Sequence, residues 1–180
     1  MNFAGIDPSL NGTGIVILDE QEKVVDYLSF TTRTRKIDLH ELCVNKEFNE
    51  DDEKNRSLKI AYSVQQLIEF LSIHQPQLIC LEGYSFGSHS RSVTILAEFS
   101  GYLKICMLKH NFNFEVIPPT KIKKFITGKG NAGKDEVKEA VKKLNPAFLI
   151  QDNPNYKQFD LYDAFAISLF TKKLYKKELM

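Results

Sequence analysis

At 180 residues, 43% of them hydrophobic, the sequence has the size expected of one compact domain built around a single core, with no room expected for a second full domain. Its 24 basic and 23 acidic side chains give a net charge of +1, so any polyanionic partner must be read from local clusters rather than from the total. No basic start leads into an apolar leader and no apolar run reaches the length of a membrane span, a pattern expected of a soluble, cytoplasmic protein with no membrane partner.

Residues 2–7 ("NFAGID") and 13–18 ("TGIVIL") are short apolar or β-branched runs separated by "PSLNG", and "KVVDYLSF" at 23–30 follows "DEQE". Three such runs joined by tight turns predict an antiparallel meander. Residues 33–57 carry five acids between Glu47 and Glu53 with little periodicity, and read as a charged, mobile surface insertion. From Ser57, Leu58, Ala61, Val64, Leu67, Ile68 and Leu71 recur at helical spacing, and "HQPQ" then leads into the apolar strand "LICLEG". A second helix is predicted from Ser92 to about Lys109, followed by a strand in "FNFEVIPP" that the two prolines stop. Helices follow at 119–127 and 133–144, either side of "GKGNAG", and a last one from about Asp160 to Leu174. The order predicts an α/β fold: a mixed five-stranded sheet, three antiparallel strands then two parallel, flanked by helices. Cys43, Cys80 and Cys106 lack C-x-x-C spacing and read as reduced, buried thiols.

Four acids fall at the ends of elements rather than on solvated faces. Asp7 ends the first strand, Glu82 ends the fourth, and Asp160 and Asp163 open the last helix three residues apart, on one helical face. Each has an ordinary structural use: a turn residue at Asp7, a helix cap and a first-turn acid at Asp160 and Asp163. Glu82 is harder to assign in that way, because a glutamate ending an apolar run must reach solvent or a partner. If the first and fourth strands are neighbours, all four carboxylates meet, and a cluster of like charges needs a positive counter-charge. With no His or Cys beside them, the chemistry points to a hard, oxygen-bound divalent cation, Mg²⁺ or Mn²⁺, and two such ions serve phosphodiester cleavage.

The neutral total hides a basic stretch. Between residues 119 and 145, Lys121, Lys123, Lys124, Lys129, Lys134, Lys138, Lys142 and Lys143 face only Asp135, Glu136 and Glu139. Lys138, Lys142 and Lys143 read as a solvated helix face, whereas Lys123 and Lys134 bracket a glycine loop whose N–H groups suit phosphate. The loop lacks G-x-x-x-x-G-K-[ST], since Asp135 follows Lys134, so an ATP-binding P-loop is excluded.

"GIDPSLNGTGIVI", "LICLEGYSFGS", "PPTKIKKFITGKGNAGKDEV" and "DLYDAFAIS", in that order, resemble the RuvC-type Holliday-junction resolvases of the ribonuclease H-like superfamily, and most closely their compact phage-borne members. The resemblance covers nearly all of the chain except residues 33–57. It implies one RuvC-like nuclease domain over residues 1–180 with the ribonuclease H-like fold. It also implies a homodimer that nicks branched DNA, chiefly four-way junctions, symmetrically with Mg²⁺ or Mn²⁺, two ions per site, leaving 5′-phosphate and 3′-hydroxyl ends. Asp7, Glu82, Asp160 and Asp163 match the metal-holding acids, and Lys123 and Lys134 match basic residues used at the scissile phosphate. Lys121, Lys124, Lys129, Tyr84, Phe86 and Arg91 complete the expected DNA contacts. At the position where bacterial members carry a base-stacking aromatic, three after the glutamate, this chain has Ser85 between Tyr84 and Phe86. That departure keeps open a less selective nuclease for forks, flaps or RNA–DNA hybrids. A non-catalytic junction binder is disfavoured by the four acids, and an actin-like kinase by the chain length.

Overall fold

Five strands, Phe3–Asp7 (β1), Thr13–Leu18 (β2), Val24–Phe30 (β3), Leu78–Glu82 (β4) and Phe114–Ile117 (β5), form one sheet in the order β3-β2-β1-β4-β5. The computed structural model describes residues 1–9, 12–30, 53–83, 91–146 and 158–179. β2 pairs antiparallel with both β1 and β3, whereas β4 runs parallel to both β1 and β5. The expected mixed sheet is therefore present. Short turns suffice for the antiparallel half, and the parallel half requires helical crossovers.

Helices Glu53–His74 (α1) and Arg91–Lys109 (α2) cover one face. Ala4, Ile6, Ile15, Ile17, Ile79 and Leu81 point into that layer against Val64, Leu67, Leu71, Phe99 and Leu103. Pro119–Thr127 (α3), Lys134–Leu144 (α4) and Gln158–Tyr175 (α5) cover the other, where Val16, Leu18 and Cys80 meet Leu161, Ala164, Phe165 and Phe170. The split follows from strand pleating, which sends alternate residues to opposite faces. Because β1, β2 and β4 are covered on both sides, they read as continuous apolar runs rather than as alternating ones. Each fully buried Ile, Leu or Phe contributes about 1.5–3 kcal/mol of burial free energy.

α5 lies directly on β1 and β2, and two glycines allow it. A β-carbon on Gly5 would stand 2.1 Å from the Ser168 nitrogen, and one on Gly14 would stand 2.3 Å from the Asp160 carbonyl oxygen. Helix backbone occupies the space that side chains there would fill. Ser168 Oγ donates to the Phe3 carbonyl at 2.9 Å and Thr171 Oγ1 lies 3.0 Å from the Ala4 carbonyl, which sets the register of helix on strand.

Two expectations need correction. α1 begins at Glu53, so residues 53–57 of the supposed insertion belong to a helix, where Arg56 lies 3.5 Å from Glu53 and 3.0 Å from Glu98 of α2. Charged residues on that first turn concealed it from an apolar-spacing test. Of the cysteines, Cys80 is buried and free, but Cys106 is free and only partly buried; Cys43 lies outside the described residues. Among the described residues, no helix is long and apolar enough to cross a membrane.

Candidate active site

The sheet register explains why Asp7 and Glu82 meet. β1 and β4 are parallel with Ile6 opposite Leu81, so the next residues, Asp7 and Glu82, stand level at the ends of adjacent strands. Both face the α5 side: Asp7 is two residues beyond Gly5, which abuts α5, and Glu82 is two beyond Cys80, which packs in the α5 layer. Gly14 pairs directly with Asp7, and it is over Gly14 that the Asp160 backbone crosses. The missing side chain of Gly14 thus lets the first two turns of α5 deliver Asp160 and Asp163 beside the strand-end acids. The turn after Asp7 is held by Thr13, whose Oγ1 donates to the Ser9 carbonyl and accepts from the Ser9 N–H at 3.3 Å.

The electrostatics match this placement. Burial pushes the Asp7 carboxyl well above its usual range, and the charges of Glu82, Asp163 and Asp160 push in the same direction, while Lys134 opposes them. Burial, then Asp163, raises Glu82 to about 7, against the hydrogen bond with Asp7 and the charges of Lys123 and Lys134. Asp163 is raised by burial and lowered by Lys134 and Lys123. Asp160 is 6% exposed, with Oδ1 3.9 Å from Lys134 Nζ. Among the described residues, no three His, Cys, Asp or Glu side chains stand in ready-made ligating positions. Glu82, Asp163 and Asp160 are near enough to raise the proton affinity of Asp7, and Asp163 that of Glu82. An all-oxygen, all-acidic donor set of this kind fits a hard divalent cation far better than a soft one.

Lys123 on α3 and Lys134 at the start of α4 are the two lysines that the structure brings to the acids. The other expected contacts are placed differently. Lys129 Nζ is 3.0 Å from Glu136, Lys121 Nζ lies 5.5 Å from the centre of the Phe170 ring, and Lys124 is exposed. Tyr84 and Phe86 lie outside the described residues, and of Arg91 only its backbone place as the first residue of α2 is described.

The glycine loop between α3 and α4, expected to offer its N–H groups to phosphate, instead spends two of them within the chain, because they end α3 and cap α4. Gly128 adopts a left-handed φ of 79° and its N–H bonds the Lys124 carbonyl, which ends α3. Gly133 caps α4, and its N–H donates to Glu136 at 2.9 Å. A glutamate three residues after a cap was a readable signal for that contact.

A β3-β2-β1-β4-β5 sheet, with acids ending the adjacent strands β1 and β4 and an acid pair on the helix laid across the sheet, defines the ribonuclease H-like class of fold. The family described as "Crossover junction endodeoxyribonuclease RuvC" matches residues 3–171. The RuvC of Synechococcus sp. (strain CC9311) is 30% identical over 170 residues, covering 94% of this chain and 96% of that one. The RuvC structure of Thermus thermophilus superposes with a TM-score of 0.70 at 16% identity, covering 99% of this chain and 96% of the other. The same T. thermophilus protein in complex with Holliday junction substrate gives 0.69 at 14% identity. The chain belongs to the RuvC family of crossover junction endodeoxyribonucleases.

Proposed function

We propose that this chain is a metal-dependent endodeoxyribonuclease that resolves four-way DNA junctions by paired, symmetric nicks. The observation that carries the reading is the meeting of Asp7, Glu82, Asp160 and Asp163 at one end of the sheet, with Lys123 and Lys134 beside them. DNA binding alone gives no reason to set four acids against a polyanion. Membership in the RuvC family and the solved junction complex of its T. thermophilus relative support the substrate class.

In this reading Asp7, Glu82, Asp160 and Asp163 hold two Mg²⁺ or Mn²⁺ ions, for which their oxygen donors are suited. Such ions, when bound, supply an activated water and stabilise the leaving 3′-oxygen, so that 5′-phosphate and 3′-hydroxyl ends result. The remaining work is done by the chain itself. Asp7 and Glu82 come from rigid strand ends, which fixes the positions of their oxygens. Lys123 and Lys134 offset the acids and hold the phosphate oxygens in place. Lys121, Lys124, Arg91, Tyr84 and Phe86 extend the DNA surface, whereas Lys129, expected there as well, is engaged by Glu136. Symmetric cleavage needs two sites, so the active form is a homodimer. In the same reading residues 1–180 act as one nuclease domain in the cytoplasm of a bacterial host cell, and the resemblance of the motifs to those of compact phage-borne members supports a phage or prophage origin.

The test is a synthetic four-way junction labelled on each strand in turn, incubated with Mg²⁺, Mn²⁺ or EDTA and run on a denaturing gel. Metal-dependent nicks at symmetry-related positions on two opposed strands are expected. A junction that is bound but uncut under every condition overturns the reading. Ser85, in place of the aromatic found in bacterial members, favours one variant of it: broader action on forks, flaps or hybrids. Equal cleavage of four-way, three-way and RNA–DNA substrates would establish that variant.

A further inference from the structure

The connection from Gly128 to Gly133 is tied at both ends by two side chains outside the acid cluster. Thr127 Oγ1 donates to the Lys123 carbonyl at 2.7 Å and accepts from the Lys129 N–H at 3.1 Å. Glu136 closes the other end: Oε2 accepts from the Gly133 N–H at 2.9 Å and Oε1 from Lys129 Nζ at 3.0 Å. One carboxylate thus joins the first lysine of the connection to the cap of α4, and Lys134 is the next residue along the chain.

We propose that Glu136 is a positioning residue: it fixes the cap of α4 and the Lys129 side chain together, and so holds Lys134 against the carboxylates. Glycine at the cap offers no side chain, so the Glu136 carboxylate is what holds this end of the connection in place. Lys134 Nζ, 63% exposed on its side chain, lies 3.9 Å from Asp160 Oδ1, and its reach to the acids depends on where the first turn of α4 sits. Lys129 then serves as a strut within the loop. The inference rests on the reading above, in which Lys134 acts at the phosphate.

Charge alone and position give opposite expectations. Removing a negative group from a DNA-facing surface strengthens binding, because phosphate contacts are electrostatic. Losing the cap contact instead misplaces Lys134 and slows cleavage. Single-turnover cleavage of the four-way junction, junction affinity at fixed salt, and amide exchange at Gly133 are to be measured for Glu136→Ala, Glu136→Gln and Lys134→Met. Glu136→Ala is expected to cleave about tenfold more slowly with affinity equal or tighter, and to exchange the Gly133 amide about fivefold faster. Glu136→Gln removes the same charge yet keeps an oxygen for the Gly133 N–H, and should recover to within about threefold of the parent rate. Glu136→Ala placed on Lys134→Met should add no further loss. Cleavage by Glu136→Ala at the parent rate, or equal losses in Glu136→Ala and Glu136→Gln, overturns the proposal. If the unaltered chain leaves the junction uncut, the nuclease reading is what fails; Gly133 exchange then decides alone, and unchanged exchange in Glu136→Ala overturns the positioning role.

Discussion

The two ends of α5 hold acids under opposite conditions. At its C-terminal end every acid has a cation at hand. Glu22 lies 2.7 Å from Lys172 and 3.2 Å from Lys173, Glu178 lies 2.8 Å from Lys173, and Glu20 lies 3.3 Å from the N-terminal amine and 3.6 Å from Lys176. Hydrogen bonds from the amine, Lys172 and Lys173 hold Glu20, Glu22 and Glu178 below the ordinary carboxylate range. At the N-terminal end Asp7, Glu82 and Asp163 are raised, first of all by burial. Acidic side chains therefore clamp the β2–β3 turn to α5 at one end, while at the other they are buried together and only partly offset by Lys123 and Lys134. Structural acids are neutralised within the chain; buried acids that face one another oppose folding, and under the proposed function a bound cation would offset that cost.

The largest effect tests that contrast directly. Asp7→Asn should lower junction cleavage by about 10³-fold or more while leaving affinity for the junction within a few-fold. The same variant should raise stability against urea in EDTA, since it removes a carboxyl whose ionisation burial and the neighbouring acids oppose. Glu22→Gln, at the other end of α5, should leave the cleavage rate alone.

Next in size is the close approach of α5 to the sheet. Gly14→Ala would drive a β-carbon to 2.3 Å from the Asp160 carbonyl oxygen, and should destabilise the fold by roughly 1–3 kcal/mol in denaturant titration. Cleavage should fall by more than that loss accounts for, because Asp160 moves relative to Asp7. A Gly14→Ala variant with parent cleavage would separate the helix position from the chemistry.

Stability in EDTA should also depend on pH with opposite sign at the two ends. Glu82 is raised from an ordinary 4.5 to about 7, so between these values the native state keeps a proton that the unfolded chain has released. Its contribution makes stability fall as pH rises from about 4.5 to about 7, by at most about 1.4 kcal/mol per pH unit, and then level off. Glu22, held low by Lys172, contributes stability that is in place above 4.5 and lost as pH falls through its depressed native value. Urea midpoints of the parent and of Glu82→Gln across pH 4–8 check the first window, and Glu22→Gln at lower pH checks the second.

The smallest effect is expected from Glu22→Gln itself, about 1–2 kcal/mol, because it strips the largely buried Lys172 of its closest carboxylate. Thermal unfolding measures it.

Much of this contrast was legible in the sequence, for reasons that differ by region. β2 at 13–18 and α3 at 119–127 fall where apolar spacing and the Pro-Pro pair put them. The acid cluster followed from three local signals: an acid after an apolar run, twice, and a D-x-x-D opening a helix. What convergence required beyond that was a parallel β1–β4 pair, which strand ends suggest but spacing cannot fix. Gly14 is visible as a turn former, yet its use depends on where a helix nearly 150 residues later crosses the strand. Lys129 looked like its neighbours in a basic run, and only three-dimensional placement assigns it to Glu136. The clamp at the C-terminal end of α5 was likewise invisible, because its lysines and glutamates meet across the whole length of the chain.

The most direct measurement is thermal unfolding at pH 8 of the parent and of Asp7→Asn, each in EDTA, Mg²⁺ and Mn²⁺. If the N-terminal acids of α5 form a cation site, divalent metal raises the parent Tm by several degrees, through preferential binding to the native state. Asp7→Asn should then start from a higher Tm in EDTA and respond little to metal. A parent Tm indifferent to both ions, or an Asp7→Asn variant that responds as strongly as the parent, would contradict the account.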